Sequence, residues 1–258
     1  MALRRSEARM EWGGDFFWFV LIGLAAQLVD GALGMAFGLV SSSILLGMGL
    51  PPAAVSGSVH TAEVFTTGVS GASHAYFRNI DKRLFWRLSS AGVVGGVLGA
   101  YVLTRLPGDV IRPFVYLYLL CLAVLILLRS FGRFVPKREI RRVPVLGFFA
   151  GLLDASGGGG WGPIATSTLL ASGGKARTTI GTVNAAEFIV TLAVSITFFL
   201  TIGLQHLEIV VGLLLGGVIA APLAAYLVKH VSERVVLTVV GVLVLCISLY
   251  QIGRAWLF

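Results

Sequence analysis

The sequence predicts an all-α polytopic membrane protein built as two homologous halves, each of about four helical segments with the first one broken or re-entrant. Three observations predict it. Hydrophobic residues make up 57% of the 258 and charged residues only 12%, about half the ~25% of soluble domains. Glycine is frequent, at 33 residues, as in closely packed or interrupted membrane helices. The rare acids of the first half recur at the same positions of the second. With mean hydropathy +0.91, so few charges could not cover a soluble surface of this size.

Residues 1–15 form a short polar segment, followed by an apolar stretch from Phe16 to Leu50. One continuous helix of that length would run about 52 Å, against a hydrocarbon core of ~30 Å. It must break, and the glycines of Gly31, Gly34 and Gly38 after Asp30 mark the place. Pro51-Pro52 opens the next helix, Ala53 to Tyr76, with proline tolerated in its first turn. A basic loop from Arg78 to Arg87 precedes spans over Leu88 to Leu103 and Ile111 to Leu128. A basic linker at 131–142 is expected to be cytoplasmic and to separate a first membrane repeat, 16–130, from a second, 143–258. There a broken stretch from Val143 to Ser172 leads to spans Thr178 to Leu200, Leu207 to Val228 and Val235 to Ile252. Cys121 and Cys246 both fall in apolar runs, which excludes a disulfide scaffold or a cysteine metal site.

Shifting the chain by 124 positions places Asp30 on Asp154, Gly34 on Gly158, Gly38 on Gly162, Ser43 on Ser167, Gly57 on Gly181, Glu63 on Glu187 and Thr67 on Thr191. A shared apolar bias does not align rare acids, so a tandem duplication is expected, an architecture typical of transporters. Parallel and inverted halves place the same number of Lys and Arg inside, so the positive-inside rule does not separate them.

Acids in apolar spans carry the sharpest chemical signal. Asp30, Glu63, Asp154 and Glu187 would together cost on the order of 10 kcal/mol facing lipid, so they must face protein or a wet cavity. Ser56, His60, Glu63, Thr67, Ser70 and His74 share one helix face by their alternating spacing of four and three. In the second half Asn184 and Glu187 repeat the centre of this stripe. The reading is that Glu63 and Glu187, with Asp30 and Asp154, couple protons, while His60 and Asn184 tune or bind the solute. The run Ser156-Gly157-Gly158-Gly159-Gly160-Trp161-Gly162-Pro163 cannot stay helical at membrane depth. Its break would leave amides free to seat an oxyanion. A Ser156/His60 hydrolase pair has no support from the repeat, and neither an enzyme, a cofactor, a resident metal nor a nucleic-acid partner is expected.

These motifs resemble the sulfite exporter TauE/SafE family: a glycine-rich break, Leu-Leu, then Gly57-Ser58 or Gly181-Thr182, the loop His74-Ala75-Tyr76-Phe77-Arg78-Asn79-Ile80-Asp81, and Gly95-Gly96-Val97-Leu98-Gly99-Ala100. The resemblance implies a multi-pass permease of a prokaryotic plasma membrane, exporting a small sulfur-containing anion such as sulfite or an organosulfonate. By position it implicates Gly34, Gly38, Gly57, Ser58, Gly158, Gly159, Gly160, Gly181 and Thr182, with the hydroxyls of Ser43 and Ser167, as the anion site. The acids equally suit an alternative, a proton-coupled divalent-cation carrier.

Overall fold

The structure is a computed structural model that describes residues 14–33, 35–132, 142–203, 206–227 and 232–257. Residues 1–13, Gly34 and most of the basic linker therefore lie outside the described residues. The described chain is helical throughout: α1 Phe16–Leu33, α2 Phe37–Gly47, α3 Pro52–Tyr76, α4 Lys82–Arg105, α5 Gly108–Ser130, α6 Val143–Gly157, a π turn Gly162–Thr166 running into α7 Ser167–Ala171, α8 Ala176–Ile202, α9 Leu207–Leu227 and α10 Glu233–Leu257. Among them, α4, α5, α8 and α10 are long and apolar enough to cross a membrane by length and composition.

Helix bounds follow from local chemistry. Helix α3 begins with Pro52 in its first turn, where a missing N–H costs nothing. Helix α4 starts earlier than expected, at Lys82, because the Asp81 side chain accepts the amides of Arg83 and Leu84 at 2.9 and 3.0 Å. The basic loop thus shrinks to a turn, and Lys82 to Arg87 become helix. Helices α2 and α7 end in the same way. Gly49 and Gly173 take left-handed φ values of 92° and 93°. Leu50 N–H reaches Leu45 O and Gly174 N–H reaches Leu169 O, which is the Schellman closure.

Packing fixes the topology. Helices α3 and α8 lie antiparallel: Gly57 meets Phe198, Gly68 meets Phe188, Gly71 meets Ala185, and Gly181 meets His74. Helices α5 and α10 are antiparallel too, with Arg129 bonded to Glu233 and Leu127 against Gly241. Helix α1 runs parallel to α9 (Phe19 by Gly212, Val20 by Gly216), and α6 runs parallel to α4 (Leu88 by Gly147, Gly92 by Gly151). The ends of α3 and α5 and the starts of α8 and α10 therefore share one face, which carries Arg129, Lys175, Arg177 and Arg234 and is called here the basic end.

Helix α1 enters from the opposite face, and α2 returns to it, because Gly47 lies by Ile247 and Gln251 Nε2 donates to Leu46 O at 2.8 Å. Helix α6 enters from the basic end and α7 returns there. The two broken segments are thus re-entrant hairpins entering from opposite faces. The halves run in opposite directions, and the inverted layout is the one adopted. Four of the main pairings, α1 with α9, α4 with α6, α3 with α8 and α5 with α10, map onto one another when the halves are exchanged, whereas α4 packs more closely on α8 than α9 does on α3.

Glycine permits these approaches. A Cβ on Gly95 would stand against Phe148 O and one on Gly147 against Leu88 O. Cys121 and Cys246 are exposed on the outer helices α5 and α10. Replacing Gly147 by Val forces α4 from α6 and should cost about 1–3 kcal/mol or more. Thermal melting in detergent should register this as a lowered Tm, whereas Gly108→Ala, with nothing within 4 Å of the added carbon, should melt like the parent.

Candidate functional site

Each hairpin turns at a break whose amides are taken by its own aspartate. Asp30 Oδ1 accepts Ala36 N–H at 2.8 Å and Phe37 N–H at 3.3 Å. Asp154 Oδ1 accepts Gly160 N–H at 2.7 Å and Trp161 N–H at 3.0 Å. The pattern, six and seven residues ahead, is the same at both breaks. A carboxylate taking two amides at the start of a helical segment satisfies donors that would otherwise be orphaned. Those four amides are therefore engaged, and they are not the free seat for an oxyanion that the glycine run suggested.

The second break needs its glycines for two distinct reasons. Gly158 caps α6 with φ 74°, a conformation that costs a side-chain-bearing residue about 1–2 kcal/mol. Gly159 lies against the backbone of Gly38 and Leu39 with no room for a Cβ. The two breaks thus touch near the middle of the protein. Ser42 Oγ donates to Gly158 O and Ser56 Oγ donates to Ala155 O at 2.6 Å, which ties α2 and α3 to the second hairpin.

A cavity of about 400 Å³ opens where the breaks meet. Of the expected site residues, Asp30, Gly38, Glu63, Asp154, Gly159, Gly160, Asn184 and Glu187 line it. Gln27, Thr66, Thr67, Ser70 and His74 line it as well. Thr67, Ser70 and His74 belong to the polar stripe of α3, and Gln27 is signalled only by standing three residues before Asp30 on α1. Ser70, His74, Ile180 and Asn184 lie toward the basic end, so the cavity extends in that direction. No lysine or arginine occurs among its described lining residues.

Donors inside the cavity are few. Thr67 and Thr66 hydroxyls turn back to Glu63 O at 2.5 and 3.3 Å. Asn184 Nδ2 donates to Ser70 Oγ at 3.0 Å. Glu63 is 4% exposed, its Oε1 lies 2.6 Å from where a Cβ on Gly38 would stand, and its Oε2 has no hydrogen-bond partner. Gln27 Oε1 is likewise buried without one.

The remaining candidates stand elsewhere. His60 is fully buried, with Nδ1 2.8 Å from Ser56 O and Nε2 3.0 Å from Asp154 Oδ2. A carbonyl only accepts, so Nδ1 carries a proton. Gly57 and Ser58 face a separate small pocket. Ser43 is buried with no partner. Ser167 accepts from Arg129 Nη1 at 2.5 Å. Thr182 accepts Asp81 N–H at 2.9 Å and donates to Thr178 O. Gly181 makes room for Asn79 and His74. Gly158 shapes the break, and Gly34 is outside the described residues. Ser156 donates to Leu152 O and is not paired with His60.

Truncating Asp154 to Ala strands two amides and the imidazole, whereas truncating Asp30 strands two amides. At ~1–3 kcal/mol for each buried unpaired group, Asp154→Ala should lower the detergent Tm further than Asp30→Ala. Equal shifts would show that the His60 contact adds nothing to stability.

The sequence profile of the sulfite exporter TauE/SafE family matches residues 19–251. A curated relative, the probable membrane transporter protein YtnM of Bacillus subtilis (strain 168), is 40% identical over 249 residues, covering 93% of this chain and 83% of the relative. No solved structure matches the chain. Apolar spans, paired hairpins around a polar cavity, and a profile match across most of the sequence converge: the chain is a membrane transporter that belongs to the sulfite exporter TauE/SafE family.

Proposed function

We propose that this transporter is a proton-coupled permease of the cytoplasmic membrane that exports a small sulfur-containing anion such as sulfite or an organosulfonate. Substrate class and direction follow the description of its family, sulfite exporter. The coupling rests on one observation: the cavity holds Glu63 and Glu187 and no described lysine or arginine. Four amides of the breaks are spent on Asp30 and Asp154, and the threonine hydroxyls on Glu63 O. Among the groups left to meet an oxyanion are the side-chain amides of Gln27 and Asn184, the Ser70 hydroxyl, the His74 imidazole and the two glutamates. A carboxylate only accepts, while a carboxylic acid can donate. The anion is therefore held when the glutamates carry protons and expelled when they lose them, since like charges in a low-dielectric site repel strongly. Asp30 and Asp154, expected as further coupling groups, serve in this reading to hold the breaks.

The cation alternative receives less support. Among the described residues no group of three or more His, Cys, Asp or Glu side chains is placed to hold a metal ion, and both aspartates are occupied by amides.

The test is flux of a short-chain sulfonate into proteoliposomes, because its charge does not change between acid and neutral pH. Parent flux should fall as pH rises, approaching roughly tenfold per unit once the glutamates lose their protons. Each of Glu63→Gln and Glu187→Gln keeps a donor and removes one titrating group, so exchange should persist with a shallower pH profile in each variant and a flat one in the double variant. Unchanged profiles in both variants remove the coupling role, and movement of a divalent metal without the sulfonate removes the anion reading.

A further inference from the structure

At the basic end, a relay of polar side chains runs from the start of α8 to the wall of the cavity. Arg177 Nε donates to Asn79 Oδ1 at 2.5 Å, and Arg177 Nη2 donates to Phe77 O at 3.1 Å. Asn79 Nδ2 lies 3.3 Å from His74 Nδ1. Each step fixes the next. A guanidinium only donates, so the Asn79 atom that it meets is the amide oxygen. The amide nitrogen of Asn79 then faces the imidazole, and because it too only donates, Nδ1 accepts. A neutral ring that accepts at Nδ1 carries its proton on Nε2. His60, earlier on the same helix, is set the other way, with Nδ1 against a carbonyl. His74 is among the described residues lining the cavity and Asn79 is not, so the free edge of the His74 ring brings a donor, Nε2–H, to the cavity side.

The backbone is shaped to make this contact. Arg78 takes a left-handed φ of 55°, which side-chain-bearing residues seldom adopt, and Asn79 N–H reaches back to His74 O at 2.9 Å. Gly181 leaves room for both partners, since a Cβ there would stand 2.9 Å from His74 Nδ1 and against Asn79. Two further donors lie within a helical turn. Asn184 Nδ2 donates to Ser70 Oγ at 3.0 Å; the Ser70 oxygen accepts, so its own proton is left to donate, and Nδ2 keeps a second proton. Ser70, His74 and Asn184 all line the cavity. Packing alone does not ask for the two on α3. The 124-residue offset carries Ser70 and His74 onto Val194 and Phe198, which are buried apolar residues of α8.

We propose that Ser70, His74 and Asn184 form the oxyanion-binding position of the cavity, and that Asn79 and Arg177 are positioning residues that hold His74 as a neutral Nε2–H donor. Sulfonate and sulfite oxygens only accept, and hydrogen bonds to an ionised acceptor are the strong ones. Three neutral donors can therefore replace part of the hydration shell of a small anion without placing a fixed positive charge on it, so the anion can also leave. Arg177 acts from behind, through Asn79, and does not line the cavity. This rests on the anion reading of the cavity and names where within it the anion is held.

The experiment takes two readouts on the full chain in proteoliposomes. Solid-state nitrogen-15 NMR of histidine-labelled protein, with the His74 signals identified by their loss in His74→Gln, should show Nε2 protonated and Nδ1 bare at neutral pH without any solute. In Asn79→Ala the other tautomer should appear beside it. Methanesulfonate exchange tests the binding. His74→Phe should raise the KM roughly tenfold, as the loss of one hydrogen bond to a charged group implies, with a smaller change in maximum rate. His74→Gln keeps an N–H near the place of Nε2 and should recover most of the affinity. Ser70→Ala should also raise the KM, and serves if His74→Phe does not reach the membrane. A proton on Nδ1 of His74 in the parent, or parent-like KM values in both His74→Phe and Ser70→Ala, overturns the proposal. Those KM values in a parent that does exchange methanesulfonate remove this position alone, whereas a parent that exchanges none removes the anion reading with it.

Discussion

An interrupted helix inside a bilayer must find partners for the backbone groups that the interruption frees, since no water is there to take them. Here one aspartate per break does so, and the rest of the site depends on it. Asp30 and Asp154 fold the chain back on itself at Ala36-Phe37 and Gly160-Trp161. Each hairpin can then enter from its own face and stop near the centre, where Gly38 meets Gly159. The cavity is the space left beside two blunt turns that cannot pack as tightly as continuous helices. Removing either carboxylate would change the shape of that space before it changed any contact with a solute.

The two halves share turns and pairings but not their chemistry. Both close α2 and α7 on a left-handed glycine, and both aim an aspartate six and seven residues ahead. The side chains one turn from the glutamates differ: His60 bonds Asp154, while Asn184 turns to Ser70 and leaves Asp30 beside the cavity. Phe198 fills the position that His74 holds at the other end. The first half therefore supplies an imidazole to a buried acid, the second half supplies a buried phenyl ring, and the cavity reaches Asn184 and His74.

Much of this was legible in the sequence. Helix count, the two breaks and the stripe of α3 follow from apolar length, glycine clusters and the spacing of four and three. The amide-holding role of the aspartates is not legible in the sequence, because a lone acid before a glycine run looks the same whether it waits for a proton or for two amides. Only the turn geometry, with amides six and seven residues on, separates the cases. Hydroxyls at Ser43, Ser167 and Thr182 were named from their place in the repeat. Which way a helix face points within an inverted pair is set by tertiary packing, and these three face Arg129, Asp81 or the core instead of the cavity. The direction of the halves was undecidable from charge because arginines stand near both faces. It becomes plain once Arg177 Nε is seen on Asn79 Oδ1, 2.5 Å away, joining the start of α8 to the end of α3.

The cysteines acquire a meaning from where they are not. Cys121 and Cys246 lie on the outer helices, and neither is among the residues lining the cavity. Sulfite is a nucleophile that cleaves disulfides, giving an S-sulfonate on one sulfur and releasing the other as thiolate, and with an oxidant it converts thiols to the same S-sulfonate. If sulfite is the solute, as proposed, a conduit whose described walls offer oxygen, nitrogen and thioether, with no thiol, gives that reaction no foothold.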